Sequence, residues 1–235
     1  MSRSPLFHFP FLLIVVALLF FLLLFLFALI QVGIITVAFS KLGLTSGQAI
    51  LILLATLLGS SINIPLYSRK TNFVQPELNL SRFWRHYRNP LFMPNPAGGQ
   101  KQTIAVNIGG CLIPVFLSMY FLEQTGLTWG LALSLLAVTL ITYKLAKPVS
   151  GVGIGIPFLL PPLITVFAVW ILARPEYSAQ IAYISGSLGT LLGADVLHLL
   201  NAKTSKSLHS PLLSIGGAGT FDGIFLTGIL AVLLA

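Results

Sequence analysis

Of the 235 residues, 56% are hydrophobic and only 8% are charged, with a mean hydropathy of +0.96. That leaves too little polar surface to cover a water-soluble domain, so the bilayer is the solvent for most of the chain, read as a single transmembrane domain over residues 1–235. The net charge of +8 does not point to nucleic acid, because the basic residues gather at the ends of apolar runs, and the one cysteine, Cys111, excludes an intramolecular disulfide.

The first apolar stretch, Phe9 to Phe39, is far longer than the core of a cleaved signal peptide and is expected to form one tilted, retained helix. Further apolar runs follow at Gly47 to Tyr67, Ile104 to Leu122, Leu127 to Tyr143, Pro157 to Ala173, Ser178 to Leu200 and Leu212 to Leu234. The expected fold is therefore all-α and polytopic, with about seven transmembrane helices, each needing roughly 20 apolar residues.

Lysine and arginine test that count. Alternating connections place eleven of them on one side and only Lys41 and Arg174 on the other. By the positive-inside rule the amino terminus is cytoplasmic and the carboxyl terminus outside, which suits the inner membrane of a prokaryote. The basic cytoplasmic loop, residues 68–102, also carries Phe83, Trp84, Arg85, His86, Tyr87 and Arg88. It reads either as an orientation signal with an interfacial aromatic anchor or as a site for anionic lipid headgroups. Asn79-Leu80-Ser81 has the form of a glycosylation acceptor, but its cytoplasmic side argues against use.

Gly151, Gly153 and Gly155 precede Pro157, Pro161 and Pro162, so the chain is not expected to enter the fifth span as a regular helix. Broken backbone at membrane depth needs protein or a water-lined cavity around it, so Gly153 and Pro157 are candidate cavity residues; a kink that only shapes packing is the other reading. Asn63 and Asn107, within the second and third runs, are expected to glue helices together by interhelical hydrogen bonds, with ligand binding as the other reading. In the sixth run Ser185, Gly189 and Gly193 recur at intervals of four, a stripe for close helix approach.

Two of the five acidic residues, Asp195 and Asp222, fall inside apolar runs, where an ionised carboxylate is costly and functional by default. They lie on consecutive spans of opposite direction; Ala218 and Gly219, one turn before Asp222, leave room beside its carboxyl, and Gly217, Gly219 and Gly223 are candidate cavity residues. Two carboxyls brought together in low dielectric share a proton, the state in which one activates water as a base while the other acts as an acid. Separate hydrogen bonding of each aspartate to its neighbours is the alternative. With both spans helical, Asp222 lies about 15 Å and Asp195 about 8 Å from the cytoplasmic ends of their helices, an offset of roughly 7 Å. Asp195 and His198 share a helix face and, with Asp222 and His209, could offer ligands to a metal, but one such pair arises easily by chance; no metal and no cofactor is assigned.

The run Ser214-Ile215-Gly216-Gly217-Ala218-Gly219-Thr220-Phe221-Asp222-Gly223-Ile224-Phe225-Leu226-Thr227-Gly228, with Gly193-Ala194-Asp195 and Gly151-Val152-Gly153-Ile154 before Pro157, resembles a prokaryotic integral-membrane family known as a domain of unknown function. The resemblance covers most of the chain. More distantly, Asp195 and Asp222 resemble the aspartates of the Gly-x-Gly-Asp intramembrane proteases, presenilin and signal peptide peptidase. Thr220 and Phe221 depart from that motif, Ala194 stands where presenilin has tyrosine, and Pro157-Phe158-Leu159 would have to stand in for Pro-Ala-Leu. The resemblance implies an intramembrane aspartyl protease-like hydrolase with Asp195 and Asp222 as catalytic pair, acting on transmembrane peptides among membrane lipids. The alternative is a proton- or cation-coupled transporter or channel using the same aspartates.

Overall fold

The computed structural model describes residues 9–70, 101–149, 153–157, 159–201, 212–217 and 223–235. By its internal contacts the chain divides into two compact units, Met1–Leu53 and Leu54–Ala235.

In the first unit, α1 (Phe9–Lys41) is one helix, as the unbroken apolar run predicts. Its residues from Leu13 to Ile34 are almost all exposed, so it offers an apolar surface all round rather than one buried stripe. The helix stops at Gly43, whose φ of +82° suits glycine, with Leu44 N–H donating to the Phe39 carbonyl at 3.0 Å and Gly43 N–H to that of Ser40 at 3.0 Å. The next helix, α2 (Ser46–Gly59), is opened by a reciprocal cap. Gln48 Oε1 accepts from Thr45 N–H at 2.9 Å while Thr45 Oγ1 accepts from Gln48 N–H at 3.3 Å.

The second unit departs from the all-α expectation. The apolar run expected to continue as helix to Tyr67 instead leaves α2 and becomes β1 (Asn63–Lys70), which pairs antiparallel with β2 (Lys101–Asn107). Pro65 lies on this outer strand, beside a register shift between Pro65 and Tyr67, where its missing N–H does no harm. Ser68 and Gln102, the expected limits of the basic loop, are therefore strand residues; 71–100 lie outside the described residues. A third strand, β5 (Leu212–Ile215), adds parallel to β2, giving the order β1-β2-β5. A short apolar run rich in β-branched residues fits strand or helix equally well by hydropathy, and backbone bonding decides it here.

The remaining helices are α3 (Ile108–Thr125), α4 (Trp129–Leu145), α5 (Leu160–Leu172), α6 (Pro175–Leu200) and α7 (Gly223–Leu234), seven in all among the described residues. Three helical stretches, Leu13–Lys41, Ile108–Thr125 and Pro175–Leu200, are long and apolar enough to cross a membrane, and the other four apolar helices are shorter. Between α4 and α5 a hairpin of β3 (Lys147–Val149) and β4 (Gly153–Gly155) replaces helix, and Pro161 and Pro162 fall in the first turn of α5, where proline is tolerated.

Helix α6 is the centre of the unit and packs on α3, α4, α5 and α7. Residues 181–187 are buried on every side, and Tyr183 stacks edge-on against Phe121 of α3 with ring centroids 5.4 Å apart. The small-residue stripe does what its spacing predicts. A Cβ at Gly189 would lie 2.7 Å from Val138 Cγ1, and one at Gly193 2.5 Å from the Thr139 carbonyl oxygen, so α4 and α6 meet at backbone distance.

Candidate functional site

Asp195 sits in a widened turn. Residues Leu191–Val196 of α6 are π-helical, with Leu197 N–H reaching back five residues to the Leu192 carbonyl. Such a turn holds one residue more than an α-turn, which shifts the phase of the residues beyond it by up to about 100°. The chain past this turn is held by His198, whose ring packs on Tyr143 at 4.5 Å between centroids and whose Nδ1 is 3.1 Å from the Gly193 carbonyl. Tyr143 in turn accepts from Asn201 Nδ2 at 3.2 Å. Because Gly193 lies against Thr139, Thr142 and Tyr143, the Asp195 turn is level with the Lys144 end of α4.

The half-buried Asp195 carboxylate accepts the backbone N–H of Gly216 on Oδ2 at 2.6 Å. Gly216 follows β5 directly and has φ +72°. An added Cβ there would lie 2.5 Å from both the carbonyl carbon and oxygen of Gly110, so Gly216 rests on the Gly110–Cys111 peptide. That peptide belongs to a second π turn, Ile108–Leu112, which opens α3.

Asn107 caps this second turn, its Oδ1 accepting from Gly110 N–H at 2.8 Å. Its Nδ2 donates to the Ser60 carbonyl at 2.7 Å and to Asn63 Oδ1 at 3.1 Å. Asn63 Oδ1 also accepts from the Ser214 hydroxyl. The two asparagines thus tie elements together as their polarity predicts, but across the three strands rather than between helices. One buried amide consequently joins the end of α2, both antiparallel strands and the start of α3.

Strand β4, which contains Gly153, touches the Leu191–Val196 segment, as does β5. Ile156, next to Pro157, approaches Gly223: its Cγ2 is 3.8 Å from where a Cβ on Gly223 would stand. Ile224 packs with Leu191 and Cys111, with Val106, Val115 and Ile215 around them. Gly217 is adjacent to Gly216, and its N–H donates to the Ser214 carbonyl at 3.1 Å.

Asp222, Gly219 and His209 lie outside the described residues. The predicted 7 Å depth offset between the aspartates does not carry over, because it requires continuous helix from Leu212 onwards, whereas 212–215 are strand and α7 begins at Gly223. His198 Nδ1 is engaged with backbone, and among the described residues no three His, Cys, Asp or Glu side chains gather as metal ligands would. Sequence reasoning missed both π turns and the role of Ser214; the Asn-x-Gly-Gly spacing at 107–110 was the available signal for the capped turn.

Comparison with known proteins adds one finding. Residues 57–234 match the family described as protein of unknown function (DUF1614), a match over most of the chain. No curated protein and no solved structure matches. The likeness to the Gly-x-Gly-Asp proteases therefore rests on the residues alone.

Proposed function

We propose that this chain, which belongs to that family, is an intramembrane aspartyl hydrolase in which Asp195 and Asp222 act together on a peptide bond of a membrane-embedded substrate. The observation that carries the reading concerns the described residues before and after Asp222. On one side Gly216 donates its amide to Asp195, and on the other Ile224 packs against Leu191 of the same helix. Both flanks of residues 217–223 thus return to the Asp195 turn, which is half-buried rather than lost in the core.

The chemistry needs one carboxylate and one carboxylic acid. The carboxylate takes a proton from water as its oxygen adds to the peptide carbonyl, and the acid gives its proton to the carbonyl oxygen. Proton transfer to the nitrogen then breaks the C–N bond, leaving a carboxyl and an amine. In this reading Asp195, whose Oδ2 accepts the Gly216 N–H, takes the role of base and Asp222 that of acid. Among the described strands β5 lies at the edge of its sheet, a place where an extended peptide can add beside Gly216.

Orientation follows from charge. Lys144 and Lys147 stand at the end of α4 level with the Asp195 turn, which by the positive-inside rule supports a site facing the cytoplasm of a prokaryotic inner membrane, with lipid around the bundle. The test is cleavage of single-span reporter peptides by the full chain in liposomes. Activity in the parent and its loss in Asp195→Asn and Asp222→Asn is expected; full activity in either variant overturns the reading.

A second reading, proton or cation transport through the same aspartates, draws on the hydroxyls of Ser118, Ser134 and Thr190. These are buried and have no hydrogen-bond partner among the described residues. Polar groups along the bundle interior suit an ion path. Proton flux in proteoliposomes that disappears in Asp222→Asn, without peptide cleavage, would select it.

A further inference from the structure

We infer that Asn107 is a positioning residue for Asp195, acting through the turn it caps and through Gly216. The inference that Asp195 is the reacting carboxylate rests on the hydrolase reading above; the coupling itself rests on geometry alone.

The side chain of Asn107 is only 2% exposed; besides its bond to the Ser60 carbonyl at 2.7 Å, it makes two hydrogen-bonded arms that lead to Gly216. Along the first, Oδ1 holds the Gly110 N–H and so fixes the Gly110–Cys111 peptide, the surface on which Gly216 rests. Along the second, Nδ2 holds Asn63 Oδ1, which also receives the Ser214 hydroxyl, two residues before Gly216. Gly216 then offers its N–H to Asp195. A glycine with positive φ has no side chain of its own to fix where its amide points. Its direction is set by what lies beneath it and by the strand that leads into it, and Asn107 bonds to both. A purely structural amide at the end of a strand would stabilise the sheet without caring about the charge on Asp195.

Cys111 supplies the means of telling these apart. It is the chain's one thiol, and its own N–H lies beneath Gly216. Its S–H stretch, read by infrared absorption on the full-length protein in lipid, reports on the turn beneath Gly216 with no substrate present.

The experiment is a double-mutant cycle in this band between Asn107→Ala and Asp195→Asn, with turnover measured alongside. Asn107→Ala is expected to shift the S–H band in the parent background and to shift it by less than about a third as much when Asp195 is already Asn. It should lower kcat by about tenfold or more with KM changed less than about twofold, the mark of a misplaced reacting group. Asn107→Ser, which keeps a capping oxygen for Gly110 N–H, should restore most of both.

Equal band shifts in the two backgrounds, or no recovery with serine, overturn the inference. Should Asn107→Ala not fold, Asn107→Gly removes the same side chain at a cap position glycine tolerates, and the same cycle decides. If no form of the protein cleaves peptides but the cycle shows coupling, the hydrolase reading falls and the positioning role stands. Cleavage by the parent without coupling leaves the hydrolase and removes Asn107 from it.

Discussion

Gly216 and Asp195, 21 positions apart in sequence, are joined by a 2.6 Å hydrogen bond from a backbone amide to a carboxylate at the centre of a widened helical turn. Because Gly216 has φ +72° and no room for a Cβ above Gly110, Gly216→Ala must move the segment off the carboxylate. The left-handed backbone alone costs about 1–2 kcal/mol, and the collision with backbone adds to it. We expect a loss of more than about 2 kcal/mol in reversible unfolding in mixed micelles, with activity falling alongside. Gly223→Ala is the contrast: the nearest atom to its new methyl is 3.8 Å away, so stability should stay near that of the parent. Equal losses in the two variants would refute the account.

Asp195→Asn separates charge from shape. The side-chain amide oxygen can still accept from Gly216, so the segment should stay in place and the unfolding midpoint should change little. The charge is gone, however, and with it the base for water. Hydrolysis should fall by about 10²–10⁴-fold, the usual worth of a positioned general base. If stability collapsed along with activity, Asp195 would be holding the fold rather than performing chemistry.

How much of this was legible beforehand depends on what the signal measures. Hydropathy marked the seven helices of the described residues, of which three are long and apolar enough to cross a membrane, and the spacing of Gly189 and Gly193 marked a close contact. It could not find β1, β2 and β5, since runs such as Thr103-Ile104-Ala105-Val106 are apolar whether they bond within a helix or across strands. The Leu191–Val196 π turn was invisible for a different reason: no residue type marks it, and its existence depends on what Gly193 meets in the folded chain, whereas the Ile108–Leu112 turn left the Asn107 cap as its one signal. Asp195 was found from its cost alone; its partner Gly216 could be found only from the backbone.

His198 offers a test of the metal alternative. Its ring is 6% exposed, lies against Tyr143, and uses Nδ1 on the Gly193 carbonyl, all of which stiffen the end of α6. His198→Ala should therefore destabilise the protein by about 1–3 kcal/mol, through the lost ring packing and a carbonyl left without its donor. A chelator should leave the activity of the parent unchanged. Inactivation by chelator with recovery on adding zinc would assign His198 to a metal instead.

The approach of α4 to α6 yields a graded prediction. At Gly193 an added methyl meets the Thr139 carbonyl oxygen at 2.5 Å, which is backbone and cannot turn aside. At Gly189 it meets Val138 Cγ1 at 2.7 Å, part of a side chain that can yield only by leaving its rotamer. At Gly33 of α1 nothing lies within 4 Å. Overpacking costs typically 1–3 kcal/mol, whereas glycine to alanine in an open helix gains about 0.5–1 kcal/mol. Unfolding in mixed micelles should thus rank Gly193→Ala as most damaging, Gly189→Ala next, and Gly33→Ala as neutral or stabilising. Only Gly193→Ala should also reduce activity beyond what its stability loss explains, because separating the helices at that level displaces the turn two residues before Asp195. Comparable activity in the Gly193 and Gly189 variants at matched folded fractions would show that the α4 contact supports the bundle without setting the carboxylate.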